Sequence, residues 1–191
     1  MHVSELPFSF KFSDISQYNS QSSMCRVLLA SCNGLVMYKL FSRGRGNLPE
    51  YYISNPWTRE YVSLPKPSKG NAFHYGLAFE NNPINSNSYS LGINNNNNNV
   101  ALFKIVAANR IENCHHISAK RIDYTFKFEV YSSDINRWQL LGSTFKLKPH
   151  LHDRSPELGR ENAIHCNRVL YWQCCENNAF MFNLETEAPG N

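Results

Sequence analysis

The sequence lacks the segments that would carry it out of the cell or into a membrane. Its first residues, Met1 to Phe8, contain no basic region followed by an apolar run, which a secretory signal needs. No segment approaches the roughly 20 consecutive apolar residues of a membrane-spanning helix. These absences predict a chain of the cytoplasm or the nucleus that has no contact with a membrane.

The cysteine pattern and the charge exclude two further classes of protein. The six cysteines have no spacing typical of a disulfide framework, so we expect reduced thiols. The net charge of +4 comes from 19 basic and 15 acidic residues spread along the chain. It is too small and too dispersed to favour nucleic acid as a partner. The cysteines are Cys25, Cys32, Cys114, Cys166, Cys174 and Cys175.

What the sequence does have is strand-forming residues and an internal repeat. Aromatic residues make up 13% of the chain, and strands favour them. Residues 128–141 read as a strand, a polar turn and a second strand opened by a tryptophan. The same pattern occurs without a gap over residues 53–64, and a third, weaker copy places Thr186 on Thr58. The aligned pairs are Val130 with Ile53, Ser132 with Asn55, Trp138 with Tyr61 and Leu141 with Leu64.

A second kind of hairpin alternates with the first. Asn33-Gly34 lies between two apolar segments, and Asn-Gly favours a type I′ turn because both central residues need positive φ. Asn167-Arg168 repeats this layout with an arginine in place of the glycine. Hairpins that alternate at a period of roughly 50 residues are typical of four-stranded propeller blades. The predicted fold is therefore all-β, a partial β-propeller of about three antiparallel blades.

The repeat also predicts individual strands. We expect strands at Tyr51–Asn55, Tyr61–Leu64, Phe126–Ser132 and Trp138–Leu141, paired antiparallel in two adjacent blades of similar shape. Two more strands are expected at Phe73–Glu80, where Gly76 permits close packing, and at Val100–Ala107. Residues 109–122 and 145–162 read as polar connections. Residues 163–184 supply two further strands, after which the chain stops part way through a unit.

An asparagine-rich segment interrupts the pattern. Residues 81–99 include an unbroken run from Asn94 to Asn99. Such a run cannot bury apolar surface to offset the entropy of ordering, so a loop without ordered structure is expected. The predicted organisation is a polar segment over residues 1–24, followed by one domain over residues 25–191 that contains this loop.

Five segments, in this order along the chain, carry a resemblance to a known family. They are similar to the plant F-box-associated interaction domain, which is related to kelch repeats. The resemblance implies a kelch-like propeller that lacks its F-box and its later blades. The segments are Ser31-Cys32-Asn33-Gly34-Leu35, residues 55–61, Gly76-Leu77-Ala78-Phe79, Glu129-Val130-Tyr131-Ser132-Ser133 and Leu170-Tyr171-Trp172.

The resemblance also implies a function. In that family the domain is the substrate-binding part of an SCF-type E3 ubiquitin ligase, and it presents a protein target for ubiquitination. The expected partner is therefore a protein substrate. A Skp-type adaptor and a cullin are expected partners only if an F-box is present upstream, and the chain by itself is not expected to bind the adaptor.

Two sets of residues follow as candidates. The first is a structural motif set, in which Tyr131 and Trp138 are expected to pack between sheets. The second is a group of basic residues in predicted loops, where propellers bind partners. The motif residues are Cys32, Asn33, Gly34, Asn55, Pro56, Thr58, Tyr61, Tyr131, Trp138 and Trp172, and the loop residues are Arg43, Arg45, Lys66 and Lys69.

Other functions stay open at this point. The chain could be a non-functional or regulatory fragment of an F-box gene without adaptor binding. A kelch-type enzyme is the less favoured alternative. A zinc site is a separate possibility, but the spacing of its candidate ligands matches no familiar pattern; they are Cys114, His115, His116, His150, His152 and Asp153. We expect no enzymatic activity, no cofactor and no metal.

An incomplete propeller leaves one blade face open, so we also expect the isolated chain to associate.

Overall fold

A computed structural model describes residues 24–42, 49–68, 74–79, 102–111, 124–147, 163–175 and 178–190. Every regular element in these ranges is a β-strand, and the strands form three sheets of four. Blade 1 contains β1 (Met24–Cys32), β2 (Leu35–Ser42), β3 (Glu50–Asn55) and β4 (Glu60–Leu64). Blade 2 contains β5 (His74–Phe79), β6 (Phe103–Ile111), β7 (Tyr124–Ser132) and β8 (Arg137–Leu147). Blade 3 contains β9 (Ile164–Cys166), β10 (Val169–Cys175), β11 (Asn178–Asn183) and β12 (Ala188–Gly190).

Each blade is a simple meander. Consecutive strands are hydrogen-bonded neighbours, and every pair is antiparallel. This is the arrangement of propeller blades, which repeat radially and cover one another's faces. The prediction of an all-β partial propeller with three antiparallel blades is confirmed, as are the four strands expected from the repeat.

Two hydrophobic cores hold the blades together in chain order. The first lies between blades 1 and 2 and includes Met37, Ile53, Leu77 and Ile105. The second lies between blades 2 and 3 and includes Trp172. We call the face that a blade turns towards the next blade its forward face, and the opposite face its backward face. Along each strand, neighbouring side chains alternate between these two faces.

The internal repeat extends to the strand register. Met37 pairs with Ile53 in blade 1, and the equivalent Tyr171 pairs with Met181 in blade 3. The four-residue turns that join the third and fourth strands all end in a residue with positive φ. These residues are Arg59 at 59°, Asn136 at 51° and Glu187 at 49°. The gapless alignment of residues 53–64 with 130–141, and the weaker third copy, therefore describe the same local structure three times.

Three sequence predictions need correction. Strand β6 continues through Asn109 and Arg110 to Ile111, although residues from 109 onward read as a polar connection. Pairing with β7 continues there, and the Asn109 side chain donates a 3.0 Å hydrogen bond to Glu129. Strand β8 likewise extends to Leu147, because Phe145 is buried in the second core.

The third correction concerns the last blade. Residues 163–184 were expected to supply two strands of an unfinished unit, but blade 3 has four strands. The two edge strands, β9 and β12, have three residues each, which is too short for a periodic pattern to show. Pro189 lies in β12, and proline is tolerated on an edge strand because no ladder hydrogen bond is lost there.

Several predictions fall outside the described residues. They concern the polar segment 1–24 apart from Met24, the asparagine-rich loop 81–99, and the histidine clusters near residues 115 and 151. The proposed domain boundaries stay predictions for the same reason. Within the described ranges, no helix is long and apolar enough to cross a membrane.

Candidate protein-interaction surface

Short turns gather at one end of the three blades. In blade 1, the turn after β1 and the turn after β3 lie at the same end of the sheet, because Val36 pairs with both Ser31 and Ser54. Blade 3 repeats this arrangement, and the turn after β7 supplies the matching turn of blade 2. We call this end the turn face. It is formed by residues 33–34, 56–59, 133–136, 167–168 and 184–187.

Contacts between blades show that the turns share one face of the molecule. Cys32, at the turn end of β1, lies 3.5 Å from Nδ1 of His165 in β9, measured from its Sγ atom. Lys104, which pairs with the last residue of β7, donates a 3.2 Å hydrogen bond to Glu187 in the last turn of blade 3. The turns of the three blades therefore lie on the same side of the molecule.

The most exposed large apolar side chain of the described residues lies on this face. Trp57 is 89% exposed, although indole rings usually bury most of their surface. Its backbone is held in place, because the Asn55 side chain accepts hydrogen bonds from the N–H groups of Trp57 at 3.0 Å and Thr58 at 3.4 Å. A Cβ atom placed on Gly34 would lie 3.8 Å from Cδ1 of Trp57, so the ring lies beside the first turn.

Trp57 lies within the family segment 55–61, but it is not among the candidate residues predicted from the sequence. A tryptophan next to strands reads as a packing residue, as Trp138 and Trp172 are. The available signal was its position: Trp57 lies inside the turn that Asn55 and Pro56 begin, where a side chain has no neighbouring strand to cover it. Exposed loop residues on a fixed scaffold are common partner contacts, and tryptophan is enriched among residues that dominate binding energy.

The other side chains of the turn face are polar and mixed in charge. Thr58 donates a 3.1 Å hydrogen bond to Glu60 through its hydroxyl. Arg168 forms an ion pair with Glu185 between the two turns of blade 3. Ile135 adds a second exposed apolar side chain at the blade 2 turn. An exposed aromatic residue on a face of mixed polar and charged side chains is typical of protein–protein contact surfaces.

Titratable groups at the centre of this face are not arranged for nucleophilic chemistry. Burial raises the pKa of the Cys32 thiol, and a backbone hydrogen bond with Phe79 lowers it by a smaller amount. Burial also lowers the pKa of His165. At neutral pH both shifts favour the uncharged thiol and the uncharged imidazole, whereas a nucleophilic cysteine needs its thiolate. Within the described residues, no three His, Cys, Asp or Glu side chains form a group suited to a metal ion.

One of the basic loop residues selected from the sequence, Lys66, lies at the opposite end of blade 1. Lys66 is described, and it is exposed in the connection after β4. Arg43, Arg45 and Lys69 lie outside the described residues. Their role in partner binding stays a prediction.

The structural motif residues divide into turn formers and packing residues. Asn33 and Gly34 have φ values of 46° and 80°, as a type I′ turn requires, and Asn167 and Arg168 repeat them at 49° and 62°. Trp172 is buried in the second core. The rings of Tyr131, which is buried in the first core, and Trp138, which packs against that core, are 5.5 Å apart. Cys32 is partly buried and packs against the first core. Pro56 is exposed in the turn after β3. The ring of Tyr61 contacts that of Tyr52 on the backward face of blade 1.

These features define a β-propeller domain with a surface suited to binding another protein. Over residues 4–183, the chain matches the family described as "F-box protein At3g26010-like, beta-propeller". Because the match spans most of the sequence, the chain belongs to this family of F-box protein propellers. The predicted relationship to F-box proteins is confirmed, and such propellers are in general interaction domains rather than enzymes. None of the curated proteins compared with the chain is similar to it.

Proposed function

We propose that the chain is the target-recognition module of an F-box protein, and that it holds a protein substrate on its turn face for ubiquitination. Trp57 is the observation that carries the proposal. Its ring is almost fully exposed while hydrogen bonds to Asn55 fix its backbone. An aromatic side chain has few rotatable bonds, so on a fixed backbone it offers contact area with little loss of conformational entropy on binding.

The adaptor and the cullin belong to the same proposal. In a protein that carries an F-box upstream of this propeller, the F-box would bind a Skp-type adaptor and the turn face would bind the target. This function belongs in the cytoplasm or the nucleus, and the location of a fluorescent fusion tests that part. Catalysis in this arrangement comes from the rest of the ligase, so no residue of the propeller needs to act as an acid, a base or a nucleophile.

The test places a known F-box ahead of the full chain and reconstitutes the ligase with adaptor and cullin in a cell extract. Ubiquitinated proteins are then compared between the wild type and Trp57→Ala. We expect a defined set of proteins to lose ubiquitination by at least about tenfold in the variant, which corresponds to roughly 1.4 kcal/mol. The control is Leu140→Ala, which removes another exposed apolar side chain, from β8 and away from the turns. Leu140→Ala should leave the set unchanged.

A further variant separates the two ends of the propeller. Lys66→Glu reverses a charge at the opposite end of blade 1, at one of the basic loop residues that were predicted to bind a partner. Loss of the same target set in Lys66→Glu, with Trp57→Ala unchanged, would move the contact surface to that end. If the wild type recruits no set above the level of the F-box alone, the recognition proposal is wrong.

A further inference from the structure

Asn33 differs in its surroundings from most of the other asparagines whose side chains the structure describes. Asn55 and Asn109 are buried. The Oδ1 atoms of Asn136 and Asn183 accept hydrogen bonds, which hold these two amide groups in place. Asn33 is instead exposed at the tip of the hairpin that joins β1 to β2. Water and the neighbouring backbone can therefore reach its carboxamide group.

The residue after an asparagine controls how easily its amide reacts. The backbone nitrogen of that residue can attack the carboxamide carbon, and a side chain on the attacking residue obstructs the approach. Gly34, which follows Asn33, has no side chain. In blade 3, Asn167 is exposed in the equivalent turn, but Arg168 follows it. With φ values of 46° at Asn33 and 49° at Asn167, the two turns form a matched pair that differs in the attacking residue.

We propose that Asn33 is a site of spontaneous deamidation, and that the reaction places a negative charge on the turn face that weakens target binding. The Gly34 nitrogen, once hydroxide has removed its proton, bonds to Cγ of Asn33. The bond between Cγ and Nδ2 breaks, and the departing nitrogen takes a proton from water and leaves as ammonia. Water then opens the cyclic succinimide at either carbonyl, which gives aspartate or isoaspartate at this position. In total, one water is consumed and one ammonia is released.

The new carboxylate lies beside Trp57. A Cβ atom on Gly34 would be 3.8 Å from Cδ1 of Trp57, so the ring and this turn are neighbours on the turn face. A charge beside an apolar contact must be desolvated when a partner binds, so it weakens association. Isoaspartate also lengthens the backbone of a turn whose flanking residues, Cys32 and Leu35, are paired. The effect on target binding rests on the proposed function, whereas the chemistry at Asn33 does not.

Peptide mapping by mass spectrometry tests this reaction in the folded, full chain. Exposed turns open locally at a small cost in free energy, so Asn33 should react without unfolding of its blade. We expect its conversion to be at least about tenfold faster than that of Asn167 at the same pH. Exchange of the attacking residues should reverse this order: Gly34→Arg slows the reaction at Asn33, and Arg168→Gly accelerates it at Asn167. Each variant uses the residue that the equivalent turn already holds, so both should fold.

Circular dichroism during the incubation shows whether the protein stays folded, and the chain unfolded in urea serves as the reference for unhindered reaction. Equal rates at Asn33 and Asn167 in the folded protein would overturn the proposal. So would an intact Asn33 in the folded protein over a period in which the unfolded chain reacts.

The effect on the target is measured separately, in the reconstituted ubiquitination assay. Asn33→Asp introduces the carboxylate directly, and it should lower ubiquitination of the target set by at least about threefold. Asn167→Asp makes the same change in the turn of blade 3, and it should have less effect. If the wild type recruits no target set, the proposed function fails while the mass change at Asn33 still establishes the deamidation. A target set that is unchanged in Asn33→Asp would overturn the effect on binding.

Discussion

The Glu129 carboxylate, in the second blade, accepts a 2.7 Å hydrogen bond from the backbone N–H of Ser68, in the connection that leaves the first blade. Glu129 is fully buried, and its other oxygen accepts a 3.0 Å hydrogen bond from the Asn109 side chain. A buried carboxylate is stable only when such donors surround it. Glu129 thus ties the connection between the blades to the sheet that follows it.

Removal of this carboxylate should destabilise the fold. Glu129→Ala leaves the buried Asn109 amide without its acceptor, and an unsatisfied buried donor costs about 1–3 kcal/mol. It also removes the hydrogen bond to the backbone N–H of Ser68, which is exposed and contributes less. We expect a loss of about 3 kcal/mol for Glu129→Ala in urea unfolding, and a smaller loss for Glu129→Gln, which keeps one acceptor oxygen. Asp134→Ala removes an exposed acid from the turn after β7, and its effect should stay within about 0.5 kcal/mol. Equal effects of the two alanine variants would contradict this role for Glu129.

The hairpins were predictable from the sequence because their chemistry is local. Asn33-Gly34 and the turn begun by Asn55 combine side chains and backbone within a few residues, and a short pattern records them. The role of Glu129 could not be predicted in this way. A glutamate within a strand reads as solvent-facing, and Ser68, which donates to it, is 61 residues away along the chain. Only the packing of two blades brings them together.

A partner-binding surface was predictable from the sequence, but the exposure of Trp57 was not. The resemblance to F-box-associated domains placed partner binding on propeller loops, with Arg43, Arg45, Lys66 and Lys69 as candidates. The exposed Trp57 lies at the end of blade 1 opposite to Lys66. Its exposure depends on where the turn after β3 lies relative to the neighbouring sheet, and a composition or spacing pattern does not contain that information. The fourth strand of blade 3 was missed because three residues are too few to show alternation.

Gly76 tests the contact between blades 2 and 3. A Cβ atom at this position would lie 2.7 Å from Cζ2 of Trp172 and 2.8 Å from Cδ1 of Leu170, closer than side-chain atoms approach. Gly76→Ala should therefore destabilise the protein by about 1–3 kcal/mol, as overpacked cores do. Gly142→Ala is the matched control, since a Cβ atom there meets nothing within 4 Å. Thermal unfolding of both variants checks the prediction, and a neutral Gly76→Ala would mean that the blades pack less closely.

Two asparagines should have equal effects, because they form the same turn in blades 1 and 3. The Asn183 side chain accepts hydrogen bonds from the N–H groups of Glu185 at 2.8 Å and Thr186 at 3.0 Å, as Asn55 does in blade 1. Loss of these bonds in Asn55→Ala and in Asn183→Ala should cost about 1 kcal/mol each. Ser63→Ala, at an exposed position of β4, is the control for chemical denaturation. Widely different losses would show that the two turns are not equivalent.

His74 should make the stability of the fold depend on pH. Burial lowers its pKa from 6.5 to about 4, because the charged imidazolium is poorly solvated inside the protein. As the pH falls, His74 is therefore protonated near pH 6.5 in the unfolded chain but only near pH 4 in the folded protein. Stability must fall as the pH decreases across this window, by about 3 kcal/mol in total. Below pH 4 the contribution of His74 no longer changes.

The comparison of the wild type with His74→Gln isolates this contribution from that of the carboxylates. Glutamine has similar size and no charge, so the variant should lose less stability than the wild type between pH 6.5 and pH 4. The two unfolding free energies, measured in urea at intervals across the window, should converge as the pH falls, because only the wild type loses the His74 contribution. Above pH 7 their difference should be constant. Parallel curves throughout would show that His74 takes up its proton in the folded protein as readily as in the unfolded chain.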